Sequence, residues 1–378
     1  MDDTRVKKRG FAAIWSLCPI RHLLLLLGAA LIGAHLATRR NYAWNRALSE
    51  KLVRPVHRFL SKAADRLPFS LAELLIALAA TGVLVYIIIQ LVKMIRRKEW
   101  GKRVYIILIT LLSLGALVYA GFCLLWGVYY YGDDFMAKSG LRREKISAQQ
   151  LEEVTAWYAE LANGYADRVP RDERGVCSLD RTAVLARSPE VYRGLERRFA
   201  CLEGPAVHAK GIRCSRVMSL VDFTGFFFPF TAEASVNMDF PTSLLPSTVA
   251  HELAHQRGVA KEQEANFVAV LACLDYGDPE YVYSAALLAY THLGNALYSA
   301  DHDAWEAVYS GLDEAVKRDF AANRIYWAAF ETPVQQASNT IYEGFLHSYD
   351  QELGLKSYGA CVDLLVNYFY EAGQGENK

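Results

Sequence analysis

The sequence predicts a chain in two parts: an α-helical membrane anchor with three transmembrane helices over residues 1–132, then a mainly α-helical domain over 133–378 with a small β element. Three observations predict this. Long apolar runs are concentrated in the N-terminal third, apolar residues at helical spacing dominate after Asp133, and one aromatic stretch at 224–237 breaks that spacing.

The apolar runs place transmembrane helices near 22–38, 70–92 and 104–127. Each approaches the roughly 20 residues needed to cross a hydrocarbon core, and the first is the shortest. The second carries one charge, Glu73, and the third carries none. Ser70 with Glu73 reads as a capping box, with Phe69 and Leu74 as its hydrophobic staple, so Glu73 is a helix-start residue rather than a buried acid. Trp126, Tyr129, Tyr130 and Tyr131 close the third run as an aromatic belt, with Trp100 near its other end. Arg5, Lys7, Lys8 and Arg9 ahead of the first run give it the form of a signal peptide, but no small-residue cleavage site follows, and an uncleaved anchor is the expectation.

Orientation follows from the basic N-terminus and the basic loop of Arg96, Arg97, Lys98, Lys102 and Arg103. These place the C-terminal domain outside the cytoplasm of a bacterial cell membrane, although the first connecting segment is also rich in Arg and Lys. The formal net charge is zero, which gives no electrostatic case for nucleic acid as a partner. The partners expected are a lipid bilayer and a peptide or protein substrate; oligomeric state is not legible. Cys177, Cys201, Cys214, Cys273 and Cys361 contain no C-x-x-C pair; an extracytoplasmic domain allows one disulfide within Cys177, Cys201 and Cys214, and otherwise most are expected to be buried small apolar residues.

In the C-terminal part, Ser147 with Gln150 signals a helix start, and Leu151, Val154, Trp157, Tyr158 and Leu161 follow at core spacing. Further helices are expected over 279–298, 303–330, 335–346 and 357–370. The stretch 224–237 combines aromatic and β-branched residues with internal Gly and Pro. It suits a strand or hairpin, either as an edge that pairs with a peptide backbone or as a core strand filled by its phenylalanines.

The residues that carry chemistry are His251-Glu252-Leu253-Ala254-His255. On a helix, residues four apart stack on one face, so His251 and His255 can aim ring nitrogens at one zinc ion while Glu252 reaches a water as general base. Pro246 in the segment before the motif marks a helix start, and Gly258 after it marks the exit. A third ligand is still required, and the choice lies between Glu262 and Glu264 on the next helical run. Asn266, one turn beyond Glu262, could support a ligand histidine through its amide, and this favours Glu262. His292, Tyr342 and His347 are available as donors to a developing oxyanion but read individually as packing or surface residues.

Together the stretches 225–237, His251 to Gln256, Glu262 to Phe267, 356–359 and 362–365 resemble the bacterial membrane-protein family called domain of unknown function 3810, across nearly the whole chain. The resemblance implies a membrane-anchored, metallopeptidase-like protein of unestablished substrate. More broadly, H-E-x-x-H followed by E-x-x-A-N resembles the gluzincin arrangement, which implies Glu262 as third ligand, although the interval is shorter than in better-known gluzincins. The expectation is a zincin-like, zinc-dependent peptidase with His251, His255 and Glu262 on Zn2+ and Glu252 activating water. The alternative is a non-enzymatic sensor or assembly factor that retains the fold. A transporter is disfavoured, because no ionisable residue lies mid-span and His35 sits near one end.

Overall fold

The computed structural model describes residues 13–141, 144–349 and 358–376. The basic N-terminal residues Arg5, Lys7, Lys8 and Arg9, and the pair Lys356 and Ser357, lie outside the described residues. Packing divides the chain into two units. One comprises Met1–Val53 with Leu71–Gly132, the other Arg54–Ser70 with Asp133–Lys378.

In the first unit, α1 (Pro19–Thr38), a short α2 (Tyr42–Leu48), α4 (Leu71–Arg97) and α5 (Trp100–Leu125) follow the expected runs. Three of these, α1, α4 and α5, are long and apolar enough to cross a membrane. Most of their leucines and isoleucines point outward, as lipid-facing residues do, and the helices meet through small and polar contacts as well. His22 bonds the Tyr105 hydroxyl at 2.7 Å, and Tyr86 bonds Thr110 at 2.8 Å. At Gly28, a Cβ would stand 2.8 Å from the Ala116 Cβ and 3.0 Å from its carbonyl carbon, so only glycine permits this approach of α1 to α5. After α5 the aromatic residues form a 3₁₀ turn, Gly127–Tyr131, in which Tyr129 is buried and Arg39 lies over Tyr131.

In the second unit, α3 (Arg54–Asp65) comes first. Sequence groups it with the anchor, but polar bonds tie it to the C-terminal part. Arg54 donates to the carbonyls of Cys201 and Glu203 at 2.9 and 2.6 Å, and Arg58 pairs with the Glu203 carboxylate. At its end, Asp65 accepts from the His208 amide at 2.9 Å and faces Lys210 at 3.6 Å. After Asp133 come α6 (Phe135–Ser139) and α7 (Ala148–Ala166), the latter opened by the expected Ser147–Gln150 capping box.

The core forms around α10 (Pro279–Ala300), which packs on α7 and on the pair α8 (Leu245–Gln256) and α9 (Glu262–Tyr276). Its Tyr281, Tyr283, Leu287, Leu293 and Leu297 are fully buried. Burial of Tyr283 requires partners for its hydroxyl, which it finds in Asp319 and Arg171. Asp319 also accepts from the Cys177 amide at 2.7 Å. The run expected at 303–330 is two helices, α11 (His302–Ser310) and α12 (Glu314–Ala328). Asn163 holds the break, donating to the Gly311 carbonyl and accepting from the Asp313 amide, both at 2.8 Å. Two helices, α13 (Pro333–Ser348) and α14 (Tyr358–Glu376), complete the unit. No disulfide joins the described cysteines; Cys177, Cys273 and Cys361 are buried.

The aromatic stretch is a hairpin within a three-stranded sheet of order β1-β3-β2. β1 (Lys210–Ile212) runs parallel to β3 (Glu233–Asn237), and β2 (Gly225–Phe228) pairs antiparallel with β3, Gly225 opposite Val236 and Phe228 opposite Glu233. β3 is buried throughout, and β2 is a half-buried edge against α8.

The Gly28 approach yields a prediction. Gly28→Val should lower the thermal midpoint of detergent-purified protein, since forcing the two helices apart costs about 1–3 kcal/mol. An unchanged melting curve would show that α1 and α5 do not depend on this contact.

Candidate metal centre

α8 places the histidines. Its first turn carries Pro246, which needs no donor there, and the Ser247 amide is taken by Ser284 at 3.0 Å. Along its length, Leu245, Val249, Ala250, Leu253 and Ala254 are fully buried, and the Tyr192 hydroxyl donates to the Ala250 carbonyl at 2.7 Å. With that face committed to the core, the 3.6-residue repeat leaves His251 and His255 together on another. Their rings meet edge to face, centroids 4.6 Å apart.

The turn after α8 brings in the third group. Gly258, at φ +87°, takes a left-handed conformation that a side chain would strain, and the chain folds back so that the Val259 amide bonds the Ala254 carbonyl at 3.1 Å. α9 then starts at Glu262, whose Oε2 lies 3.2 Å from His251 Nε2 and whose Oε1 lies 3.6 Å from His255 Nε2. One ligand atom from each of the three residues lies within 4.8 Å of the others. Two ligands held about 2.1 Å from one tetrahedral zinc lie roughly 3.4 Å apart, close to the two carboxylate–imidazole distances, so the types and spacing of these donors suit such an ion.

Glu262 and Glu264, two residues apart, face opposite partners. Glu264 accepts from the Phe135 amide at 2.8 Å and the Met136 amide at 3.4 Å, and so caps the start of α6. Burial, reinforced by Asp134, pushes its carboxyl up to about 7. Beside it, Lys261 pairs with Asp134 at 2.5 Å. The structure therefore groups Glu262 with the histidines and leaves Glu264 outside the cluster.

Asn266 follows Glu262 by one turn on α9. Its side chain makes no hydrogen bond among the described residues. The support comes from a backbone carbonyl that sequence reading passed over and from Tyr342, which it offered only as a donor to an oxyanion. His255 Nδ1 meets the Val259 carbonyl at 2.7 Å, which places the proton on Nδ1 and leaves Nε2 for a metal. The Tyr342 hydroxyl on α13 donates to Glu262 Oε1 at 2.9 Å. Of the other two candidate donors, His292 is buried on α10 and His347 is exposed on α13. Burial, with His251 nearby, pushes His292 down to about 4, so it stays neutral.

Glu252 is enclosed. It is 3% exposed, and its Oε2 has no hydrogen-bond partner among the described residues. Burial pushes its carboxyl up to about 7 against the pull of His251 and His255. Burial opposes the charged forms of the other two as well. The Glu262 carboxylate nevertheless raises His255 to about 9, and the histidines hold Glu262 well below its usual range. The cluster therefore keeps an ionised carboxylate facing cationic charge.

Gly225 on β2 explains how the hairpin comes so near. A Cβ there would lie 2.5 Å from Glu252 Oε1 and 2.7 Å from its Cγ. The hairpin is fastened from the other side by Gln256, which donates to the Ala232 carbonyl at 2.8 Å. Only the glycine beginning the 225–237 stretch signalled this contact in sequence.

The two glutamates give a direct test. Glu262→Ala should abolish zinc binding measured by elemental analysis, whereas Glu264→Ala should keep about one zinc per chain and lower thermal stability by about 1–3 kcal/mol, because its amide partners lose their acceptor. Metal loss in the Glu264 variant alone would reverse the assignment. Gly225→Ala should leave zinc in place while displacing the Glu252 carboxylate, since the three atoms nearest the added methyl all belong to Glu252.

Searches of curated proteins and of solved structures return no match for this chain. Residues 48–366 match the family described as "Protein of unknown function (DUF3810)". With most of its length covered, from the first connecting segment to the last helix, the chain belongs to that family.

Proposed function

We propose that the protein is a membrane-anchored, zinc-dependent peptidase of the gluzincin type, with a zincin-like C-terminal domain on the extracytoplasmic side of a bacterial cell membrane. The observation that carries this reading is the grouping of His251, His255 and Glu262 beside a buried Glu252 whose Oε2 lacks a partner among the described residues. A buried carboxylate oxygen without a donor costs stability unless something polar meets it, and a water or substrate group is the natural candidate.

His251 Nε2, His255 Nε2 and the Glu262 carboxylate would hold the ion. When bound, zinc supplies Lewis-acid polarisation and a water acidic enough to attack a carbonyl near neutral pH. Glu252 Oε2 takes the proton of the attacking water and passes it to the leaving amine. Tyr342 orients Glu262 through its hydroxyl, and the Val259 carbonyl orients His255. Glu262 keeps 29% of its side chain exposed, so the ligand set has an approach from solvent. β2, whose Gly225 stands against Glu252, is a sheet edge suited to pair with an extended peptide.

Purified full-length protein should carry about one zinc per chain, lost in a His251→Ala/His255→Ala variant; a metal-free wild type would sink the reading. Glu252→Gln should keep the metal and lose at least 100-fold in cleavage of a peptide library. Zinc present in both proteins with cleavage in neither would favour a non-enzymatic sensor or assembly factor built on the same fold.

A further inference from the structure

We propose that the first unit binds one membrane lipid in a cavity between α1, α2 and α5, and selects a lipid whose head group carries an O–H or N–H donor. The proposal rests on α1, α4 and α5 being membrane-crossing and is independent of the metal centre. The cavity measures about 390 Å³, within the range of small-molecule sites. Leu31, Ala34, Leu117 and Leu124 form its apolar walls, and Trp44 and Asn45 its polar end. Leu31 and Leu124 are themselves 50% and 44% exposed, so the cavity opens sideways, toward the hydrocarbon that surrounds the helices.

Asn45 makes the site selective. It is 1% exposed, and its Nδ2 donates to three carbonyls, those of Thr38, Arg39 and Asn41, at 3.2, 2.9 and 2.9 Å. These acceptors at the end of α1 fix which side of the amide is nitrogen, because a flipped amide would set oxygen against three oxygens. Oδ1 is consequently turned away from them, and it has no donor among the described residues. In a membrane there is little water to supply one, so the unmet acceptor is costly and a lipid head with a donor relieves it. Trp44, 52% exposed at the same end, is the kind of residue that settles at the head-group level, and Arg39 and Arg40 follow α1 directly. An acyl chain along the leucines with an ethanolamine ammonium or a glycerol hydroxyl at Asn45 satisfies both halves of the cavity. A choline head offers no donor.

The test uses full-length protein in nanodiscs containing trace phosphatidylethanolamine, phosphatidylglycerol or phosphatidylcholine with a photoreactive acyl chain, and the labelled peptides are mapped by mass spectrometry. Residues 31–48 and 117–128 should be labelled about five-fold more by at least one donor-bearing lipid than by phosphatidylcholine, the weight of one net hydrogen bond. Ethanolamine or glycerol lipid leading alone identifies the donor as ammonium or hydroxyl, and both outcomes support the site. Ala120→Phe, which fills the cavity, should remove this labelling while the outward face of α4 is labelled as before. Equal labelling by all three lipids in wild-type protein overturns the proposal, as does labelling that survives in a folded Ala120→Phe variant. If that variant does not fold, the wild-type comparison of head groups decides alone.

Discussion

The Glu262 carboxylate, set between His251 and His255, is the contact on which the second unit's arrangement turns. For one carboxylate to reach two imidazoles from the next helix, α8 must stop within three residues of His255 and the chain must reverse at once. Gly258 makes the reversal, and the Val259 carbonyl produced by it returns to hold His255. The cluster thus depends on a single turn. The attraction between Glu262 and His255 outweighs the burial that would otherwise neutralise both. A bound cation would replace the direct attraction between carboxylate and imidazole with a stronger one at the same separations.

Around that contact, buried polar groups fix the elements that carry the site. Tyr192 fastens the middle of α8, Ser284 its first turn, and Gln256 its last. The Asp319, Arg171 and Tyr283 group serves the core on the far side of α10. Glu252 Oε2 and Asn45 Oδ1, one in each unit, are among the buried acceptors that have no donor among the described residues.

The three apolar helices, the hairpin, the α8 helix start and the glycine turn were all legible in sequence, because each rests on local pattern: length of apolar run, period, proline and glycine position. The histidine pair was legible for the same reason. What escaped was tertiary. Asn266 has the right spacing to support a ligand, but spacing along α9 says nothing about which way the helix turns relative to α8, and a backbone carbonyl does that work instead. Glu262 and Glu264 could be ranked by sequence but were separated by the amides of Phe135 and Met136, some 130 positions away. Tyr342 came within reach of Glu262 through the packing of α13, which no local pattern encodes.

The segment Arg54–Ser70 shares a unit with Asp133–Lys378, and between the two stretches lie α4 and α5. Two crossings return a chain to the side it left, so parity alone puts both stretches on one face of a bilayer. This bears on the arginines of α3, which otherwise argue against an extracytoplasmic domain by the rule that basic loops stay inside. Arg54 and Arg58 are engaged with the carbonyls and carboxylate near Glu203, within the same unit. It also means that the unit is interrupted in sequence by its own anchor. No single cut in the chain releases it whole.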